Sequence, residues 1–363
     1  MLEPILWFVI GLAALIGGAE VLVRSVSKLA VISGIPKLLI GLTVVAFGTS
    51  APELAVSIQA GIDGQTDLML GNIVGSNITN TLLILGISAL VIPLKVNKNL
   101  IKWDVPIMIA VTIFVYLLAS NGSISFIECL ILSIILLVYL VYLARRKGSV
   151  QPETKQELKK GWFSVLINLF AAIAGLTALI AGARWLIGSA LIFAEMAGVS
   201  ELTIGLTVVA MGTSMPEIVV SLVAALKGEK DIAVGSIVGS NILNLLAVLG
   251  VSGLFIPGAI PVQAGLLSFD LLVLIGASLL CIPIFYTGHK IVRWEGILFL
   301  FFYFSYIFYI YLSSTEHDFL IVFVNVILFF VLPVVVFSMV TITYMEWKKR
   351  YRFRNFNQNR QNE

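Results

Sequence analysis

Two glutamates, Glu53 and Glu217, stand inside apolar segments, each directly after a proline. A Thr-Ser pair precedes each glutamate by four and three residues, so on a helix the two hydroxyls and the carboxylate share one face. Because proline has no backbone N–H, it also releases a main-chain carbonyl one turn earlier. Such polar groups are tolerated inside hydrocarbon only where protein, water or an ion satisfies them. Each segment therefore predicts a small cage of oxygen atoms suited to a cation.

The two segments belong to a repeat with a constant offset, because residues 41–53 return as 205–217 and residues 71–80 return as 235–244. The second block adds a serine and an asparagine at i, i+4 spacing. Hard cations such as Ca²⁺ and Na⁺ suit all-oxygen sites, whereas zinc and copper do not. A single kinked helix is usually only a packing feature, but duplication of the whole set favours an ion pathway. The predicted ligands are the carbonyl oxygens of Ala46 and Ala210 and the side chains of Thr49, Ser50, Glu53, Ser76, Asn80, Thr213, Ser214, Glu217, Ser240 and Asn244.

The composition indicates a membrane protein, with 59% hydrophobic residues, 12% charged residues and a mean hydropathy of +1.05. The chain start lacks a basic segment, so we expect a membrane helix there instead of a cleaved signal peptide. Cys129 and Cys281 lie in apolar runs and are predicted to be packing residues. The sequence has no nucleotide-binding loop, metal-finger spacing or catalytic triad pattern. It therefore predicts no enzyme, no cofactor and no nucleic-acid partner.

Apolar runs long enough to cross a bilayer predict eleven helices. The predicted spans are residues 4–23, 38–62, 68–92, 104–120, 125–144, 163–186, 201–226, 232–256, 268–286, 293–313 and 319–345. With the N-terminus outside, every Lys and Arg except Arg184 falls on the cytoplasmic side, as the positive-inside tendency requires. The prediction is an all-α polytopic protein of the cell membrane, with its N-terminus outside and its C-terminus in the cytoplasm.

The repeat unit contains five of these helices, so its second copy is inverted relative to the first, and the motif helices meet near the midplane. The glycine- and alanine-rich first and sixth helices are predicted to slide as a gate. Asp104 and Asp270 are predicted to cap the fourth helix of each copy. The predicted units are a first repeat at 1–144, a cytoplasmic linker at 145–162, a second repeat at 163–313 and an extra helix with a basic tail at 314–363.

The paired Gly-Thr-Ser-x-Pro-Glu and Gly-Ser-Asn-Ile-x-Asn blocks resemble the two repeats of the calcium/cation antiporter superfamily, and most of all those of microbial sodium/calcium exchangers. The resemblance implies two inverted five-helix halves around central sites that alternately hold one Ca²⁺ or several Na⁺. It implies shared Ca²⁺ and Na⁺ carboxylates at Glu53 and Glu217, outer Na⁺ sites completed by Ser76 and Ser240, and a central layer containing Asn80 and Asn244.

The function that this resemblance implies is antiport of Na⁺ and Ca²⁺ by alternating access, with the lipid bilayer as surroundings. Potassium-dependent relatives carry Asp where this chain has Asn244, which argues against potassium dependence. Proton/calcium exchangers differ more in the second block, but antiport of protons with Ca²⁺ or another divalent cation stays open as an alternative. A passive cation channel is the alternative from another class.

Overall fold

A computed structural model describes residues 2–146, 162–196 and 210–361. Helices α1 to α5 form the first half, α6 to α10 form the second half, and α11 follows them. In the described residues the helices are α1 (Leu2–Ser33), α2 (Lys37–Thr49 and Ala51–Ile62), α3 (Thr66–Val91), α4 (Leu100–Ala119), α5 (Phe126–Arg146), α6 (Trp162–Met196), α7 (Ala210–Thr213 and Met215–Leu226), α8 (Lys230–Gly253), α9 (Leu266–Tyr286), α10 (Arg293–Ser314) and α11 (319–361).

Nine helices in the described ranges are long and apolar enough to cross a membrane, and the bent α2 makes a tenth. These ten match predicted spans. The one remaining predicted span, 201–226, corresponds to α7. This helix is described from Ala210 onward, and its predicted start at residue 201 lies outside the described residues. The structure therefore confirms an all-α polytopic fold.

Three helices run at least ten residues further than predicted, and one of them is α6, which continues to Met196 and not only to residue 186. Helix α1 continues to Ser33 because residues 19–33 contain neither glycine nor proline, and it ends before Gly34, whose φ is +63°. Arg24 and Lys28 therefore lie on α1 and not in a loop. Helix α11 likewise continues to Gln361, beyond the predicted membrane span.

Helices α1 and α6 pack against each other in an antiparallel crossing made by glycines. A Cβ atom on Gly18 would lie 2.6 Å from the carbonyl oxygen of Gly175, and one on Gly11 would lie 2.9 Å from that of Gly182. Gly11 and Gly175 are equivalent in the repeat, as are Gly18 and Gly182. The contacts thus exchange under a two-fold rotation, which is the inversion that the odd number of spans predicted.

The two halves also exchange their last helices. Helix α5 packs on α8 of the second half, where Gly253 lies against Cys129, and α10 packs on α3 of the first half, where Gly86 lies against Leu300. Two short antiparallel ladders accompany this exchange. Strand β1 (Leu94–Lys95) pairs with β4 (Lys290–Ile291), and β2 (Ser123–Ile124) pairs with β3 (Ile260–Pro261).

The predicted capping role of Asp104 and Asp270 is wrong. Helices α4 and α9 begin at Leu100 and Leu266, each four residues before the aspartate, so both aspartates lie inside helices. Asp104 is fully buried and accepts hydrogen bonds of 2.8 and 3.0 Å from Arg146. Asp270 accepts one of 2.9 Å from the Tyr306 hydroxyl. Each aspartate is satisfied by a side chain from the following helix, and of the two only Asp104 has an ion pair with a described residue.

Both cysteines are buried in packed regions, as predicted. Helices α3 and α8 are the most buried spans, whereas α11 lies at the periphery with its apolar side chains exposed. Exposed apolar side chains on the outer helices are suited to contact with lipid. The polar motif residues are therefore concentrated at the centre of the helix bundle.

Candidate functional site

The helices α2 and α7 are interrupted at equivalent serines. Ser50 has φ −82° and ψ 4°, and Ser214 has φ −89° and ψ 4°. The two parts of α2 meet at a bend of 44°. A new helix starts after each break with proline in its first turn, where the missing N–H removes no helical hydrogen bond. Glu53 and Glu217 fall in these first turns, close to the N-terminal N–H groups and the positive end of the helix dipole.

The helices α3 and α8 contribute the asparagines through π-helical turns. In α3 the turn covers Thr79–Ile84, and in α8 it covers Asn244–Val248. A π-helical turn inserts one extra residue and is common at functional sites. Asn80 and Asn244 therefore lie at irregular points of otherwise continuous helices, facing the interrupted α2 and α7.

Predicted site residues from the two halves contact one another at the centre of the bundle, and among them only Thr213 is half-buried while Ala210 simply begins the described part of α7. The Ser50 hydroxyl donates a 3.3 Å hydrogen bond to Glu217, so α2 of the first half contacts α7 of the second. The Ser240 hydroxyl lies 3.5 Å from the Ala46 carbonyl oxygen. Glu53 and Glu217 are each 1% exposed. Two carboxylates from opposite halves thus lie in a region closed to solvent.

Within the described residues, several of these buried polar atoms have no hydrogen-bond partner. They are Glu53 Oε2, Glu217 Oε2, Ser214 Oγ, Asn244 Oδ1 and both amide atoms of Asn80. Buried polar groups without partners are rare in folded proteins because each costs free energy. The concentration of oxygens here fits a site whose partner is a hard cation, since carboxylate, amide and hydroxyl oxygens are its preferred ligands.

Some predicted ligands have other partners in this conformation. The Ala46 carbonyl accepts the helical hydrogen bond from the Ser50 N–H at 3.0 Å, which differs from the expectation that it turns away from the helix. The Thr49 hydroxyl donates to the Val45 carbonyl at 3.1 Å. The helix breaks only after Thr49, so the Ala46 carbonyl keeps its helical donor, whereas the Gly48 carbonyl faces Pro52, which has no N–H to donate. A carbonyl oxygen has a second lone pair, however, and Ala46 remains within the cluster.

Other predicted ligands form hydrogen bonds between the two halves. The Thr213 hydroxyl donates a 3.4 Å hydrogen bond to Asn72 on α3. Ala210 is the first described residue of α7. The Ser76 hydroxyl accepts a hydrogen bond of 3.1 Å from Asn244 and donates one of 3.1 Å to the Ile73 carbonyl. Equivalent residues of the two halves therefore differ in their hydrogen bonds.

Small glycines in both copies of the second block could permit close helix approach, and among the described residues the structure shows it only for α8. A Cβ on Gly239 would lie 2.7 Å from the Leu42 carbonyl oxygen, and one on Gly235 would lie 3.1 Å from that of Leu38. Gly71 and Gly75, their equivalents on α3, have no described atom within 4 Å of a Cβ position. Close packing is thus seen where α8 crosses α2.

The sequence profile of the family described as "Sodium/calcium exchanger protein" matches residues 3–145 and 167–312 of the chain. These two ranges correspond to the two halves of the helix bundle. The chain belongs to the sodium/calcium exchanger family. Members of this family are membrane transporters and not enzymes, so the calcium/cation antiporter resemblance is confirmed and the buried cluster belongs to a transport protein.

Relatives of this exchanger cover nearly the whole bundle. The "Sodium/calcium exchanger MaX1" of Methanosarcina acetivorans is 32% identical over 338 residues, covering 82% of this chain and 95% of the relative. The "Inner membrane protein YrbG" of Escherichia coli is 38% identical, with 75% and 87% covered. A solved structure of the sodium-calcium exchanger NCX_Mj superposes with a TM-score of 0.74 at 33% identity, covering 84% of this chain and 97% of that one.

Sequence reasoning missed several polar residues of the exchanger cluster as site residues. Asn77 and its equivalent Asn241 are buried between α3 and α8, and Asn77 donates a 3.2 Å hydrogen bond to the Asn241 carbonyl. Asn72 donates to the Ser57 hydroxyl at 3.0 Å. The signal for Asn77 and Asn241 was present, because both stand in the duplicated Gly-Ser-Asn-Ile block. Nothing in their spacing showed that their partners come from the other half.

Proposed function

We propose that this exchanger is an antiporter that moves Na⁺ and Ca²⁺ in opposite directions through one central site. The observation that carries the proposal is the contact between halves, in which Ser50 of α2 lies 3.3 Å from Glu217 of α7 inside a buried cluster of unpartnered oxygens. Relatives whose names state sodium/calcium exchange, MaX1 and NCX_Mj, support the choice of ions.

The two negative charges of the cluster suit the exchange of one cation for another. Glu53 and Glu217 are both buried, and a buried carboxylate is costly unless a cation accompanies it. One Ca²⁺ or two Na⁺ would balance the two charges. Since either ion set uses the same carboxylates, binding of one excludes the other, and a loaded site can change sides at lower cost than an empty one. This coupling is what an antiporter needs.

We assign the predicted residues to this site as direct cation ligands. Glu53 and Glu217 supply charge to both ions, and the asparagine amide oxygens occupy the centre. Hydroxyls and main-chain carbonyls complete the coordination. The full proposed set is Ala46, Thr49, Ser50, Glu53, Ser76, Asn80, Ala210, Thr213, Ser214, Glu217, Ser240 and Asn244.

Alternating access would come from movement of α1 and α6 across α2 and α7. The glycine crossing of α1 and α6 keeps the two helices together as one body. Polar contacts hold that body to the turn between α7 and α8, where Ser27 donates to Glu229 at 2.7 Å and Lys227 donates to Glu20 at 2.8 Å. Sliding of α1 must break these contacts. They therefore belong to one end state of the transport cycle.

We further propose that the protein lies in the cell membrane with its N-terminus outside and its C-terminus in the cytoplasm. The charge distribution supports this orientation, because it places all Lys and Arg but Arg184 on one side. Stoichiometry above two Na⁺ per Ca²⁺ would make transport respond to the membrane potential.

Ion uptake by proteoliposomes tests the function directly. Vesicles loaded with Na⁺ and diluted into Na⁺-free medium containing radioactive Ca²⁺ should take up Ca²⁺, and collapse of the Na⁺ gradient by an ionophore should stop the uptake. Uptake that follows an imposed pH gradient and ignores Na⁺ would contradict the sodium assignment in favour of proton/calcium antiport. Ca²⁺ flux that needs no counter-ion would contradict antiport and indicate a channel.

A further inference from the structure

Asn244, like Asn80, is a predicted ligand whose side chain has two different ends. An amide presents an oxygen on one side and an NH₂ group on the other, and only the oxygen can bind a cation. A carboxylate at the same position would present an oxygen either way. A cation site that uses Asn244 therefore needs something that fixes the direction of this amide.

The structure supplies two acceptors for the Asn244 NH₂ group. Its Nδ2 atom donates to Asn77 Oδ1 at 3.1 Å and to Ser76 Oγ at 3.1 Å. With both N–H bonds used in this way, Asn244 Oδ1 points in the opposite direction and has no partner among the described residues. All three side chains are buried, so water does not compete for these hydrogen bonds.

The direction of both acceptors is set by main-chain carbonyls. Asn77 Nδ2 donates to the Asn241 carbonyl at 3.2 Å, and a carbonyl can only accept, so Asn77 Oδ1 must face Asn244. The single proton of Ser76 is likewise donated to the Ile73 carbonyl at 3.1 Å, which leaves Ser76 Oγ to accept. A flipped Asn244 would place its oxygen against two acceptor oxygens, which is repulsive.

The other half has no corresponding arrangement among the residues that the structure describes. Asn241, the equivalent of Asn77, donates instead to the Thr81 hydroxyl at 2.7 Å, and both amide atoms of Asn80 lack a partner there. Thr81 is replaced by Leu245 at the equivalent position, so the second half has no such hydroxyl. Of the two central asparagines, Asn244 is the one whose amide is fixed.

We infer that Asn77 is a positioning residue of the cation site, which orients the Asn244 amide so that its oxygen faces the bound ion. The inference rests on the proposed function, because it concerns the same site. It predicts that Asn77 matters only while residue 244 is an amide. Replacing Asn244 by aspartate, which has two equivalent oxygens, should make Asn77 dispensable for cation binding.

A double-mutant cycle on the full-length purified chain tests this dependence. Ca²⁺ affinity is measured by isothermal titration calorimetry at alkaline pH, because an aspartate introduced at position 244 is charged there. Asn77→Ala should weaken Ca²⁺ binding roughly tenfold in the parent, as expected for a loss of about 1.4 kcal/mol. In the Asn244→Asp background the same change should weaken binding less than about threefold, a difference that double-mutant cycles resolve.

Asn241→Ala is the matched control, because it removes the equivalent amide side chain but keeps the main-chain carbonyl that anchors Asn77. Its effect on affinity should be the same in the parent and in the Asn244→Asp background. Asn77→Leu, which fills a similar volume without polar atoms, repeats the test if the alanine variant fails to fold. Equal effects of the Asn77 substitutions in both backgrounds would overturn the inference. Absence of Ca²⁺ binding to the parent chain would contradict the proposed function itself, and the inference with it.

Discussion

Glu53 and Glu217 each have one carboxylate oxygen with no described partner, although both side chains are almost fully buried. A structural carboxylate in such a place is normally satisfied by the protein itself, as Asp104 is by Arg146 and Glu295 is by the Val292 N–H. The contrast separates two uses of a buried carboxylate in one molecule. Asp104 is neutralised by a cationic side chain, whereas the central pair has none and is assigned to the cation in the proposed function.

Replacing either central carboxylate by an amide should remove exchange. Glu53→Gln and Glu217→Gln keep the size of the side chain but delete the negative charge that attracts Ca²⁺, so each should lower Na⁺-driven Ca²⁺ uptake at least about tenfold, equivalent to a loss of ~1.4 kcal/mol or more. Uptake by proteoliposomes with equal amounts of reconstituted protein measures this. Glu316→Gln, at an exposed residue after α10, is the control and should leave uptake unchanged. Normal uptake by both central variants would remove the proposed site.

The sequence predicted which residues gather at the centre, because a duplicated motif with carboxylates in apolar segments is typical of an ion pathway and not of helix packing. It did not predict their hydrogen bonds. Whether Asn241 donates to Thr81 or to a main-chain carbonyl depends on a residue that lies 160 positions away. The difference between Thr81 and Leu245 is one substitution in the repeat, and only the packed structure shows that it changes the partner of an amide.

At the scale of helices, the apolar runs located the spans and the prolines indicated the irregular points of α2 and α7, but the sequence did not predict the π-helical turns. The π-helical turns at Thr79–Ile84 and Asn244–Val248 contain neither glycine nor proline, so no residue type marks them in the sequence. The end of α1 was predicted too early because Arg24 and Lys28 suggested a loop. Arg24 is paired with Glu20 one turn before it, so charged residues are accommodated on the helix itself.

The crossing of α1 and α6 should be intolerant of a single methyl group. Gly18→Ala places a Cβ 2.6 Å from the Gly175 carbonyl oxygen and the Leu179 nitrogen, which are main-chain atoms that cannot rotate away. Overpacking of this kind costs about 1–3 kcal/mol. We expect a lower melting temperature in detergent and slower Ca²⁺ uptake.

The adjacent Gly17→Ala is a control matched in sequence, because no described atom lies within 4 Å of its Cβ position. It should melt with the parent protein and transport at the parent rate. Equal stability of the Gly18→Ala and parent proteins would contradict the close crossing of α1 and α6.

At the scale of the whole molecule, the charge pattern and the repeat predicted inversion, and the two-fold exchange of glycine contacts between α1 and α6 agrees with it. The exchange of α5 and α10 between halves was not predicted. Ladders of two residues, such as β1 with β4, carry no recognisable pattern in sequence. Contacts between helices that are distant in sequence also cannot be predicted from the hydropathy of each helix considered alone.

The proposed orientation can be measured with single cysteines in a Cys129→Ala, Cys281→Ala background. Asn121→Cys, at an exposed residue between α4 and α5, should react with a membrane-impermeant maleimide added to intact cells. Lys155→Cys, in the predicted cytoplasmic linker, should react only after the membrane is permeabilised. The reverse pattern of labelling would invert the proposed topology.

The packing of α5 on α8 also has a consequence for biosynthesis. Helix α5 leaves the ribosome before α8 has been made, so the side of α5 that includes Cys129 has no partner until the second half is inserted. The Ser50 hydroxyl likewise cannot form its hydrogen bond to Glu217 until the second half has been made. A chain arrested in the linker would expose unsatisfied polar groups to lipid and become a substrate for membrane quality control. We therefore expect the contact between Ser50 and Glu217, and with it the proposed ion site, to form late in the assembly of this protein.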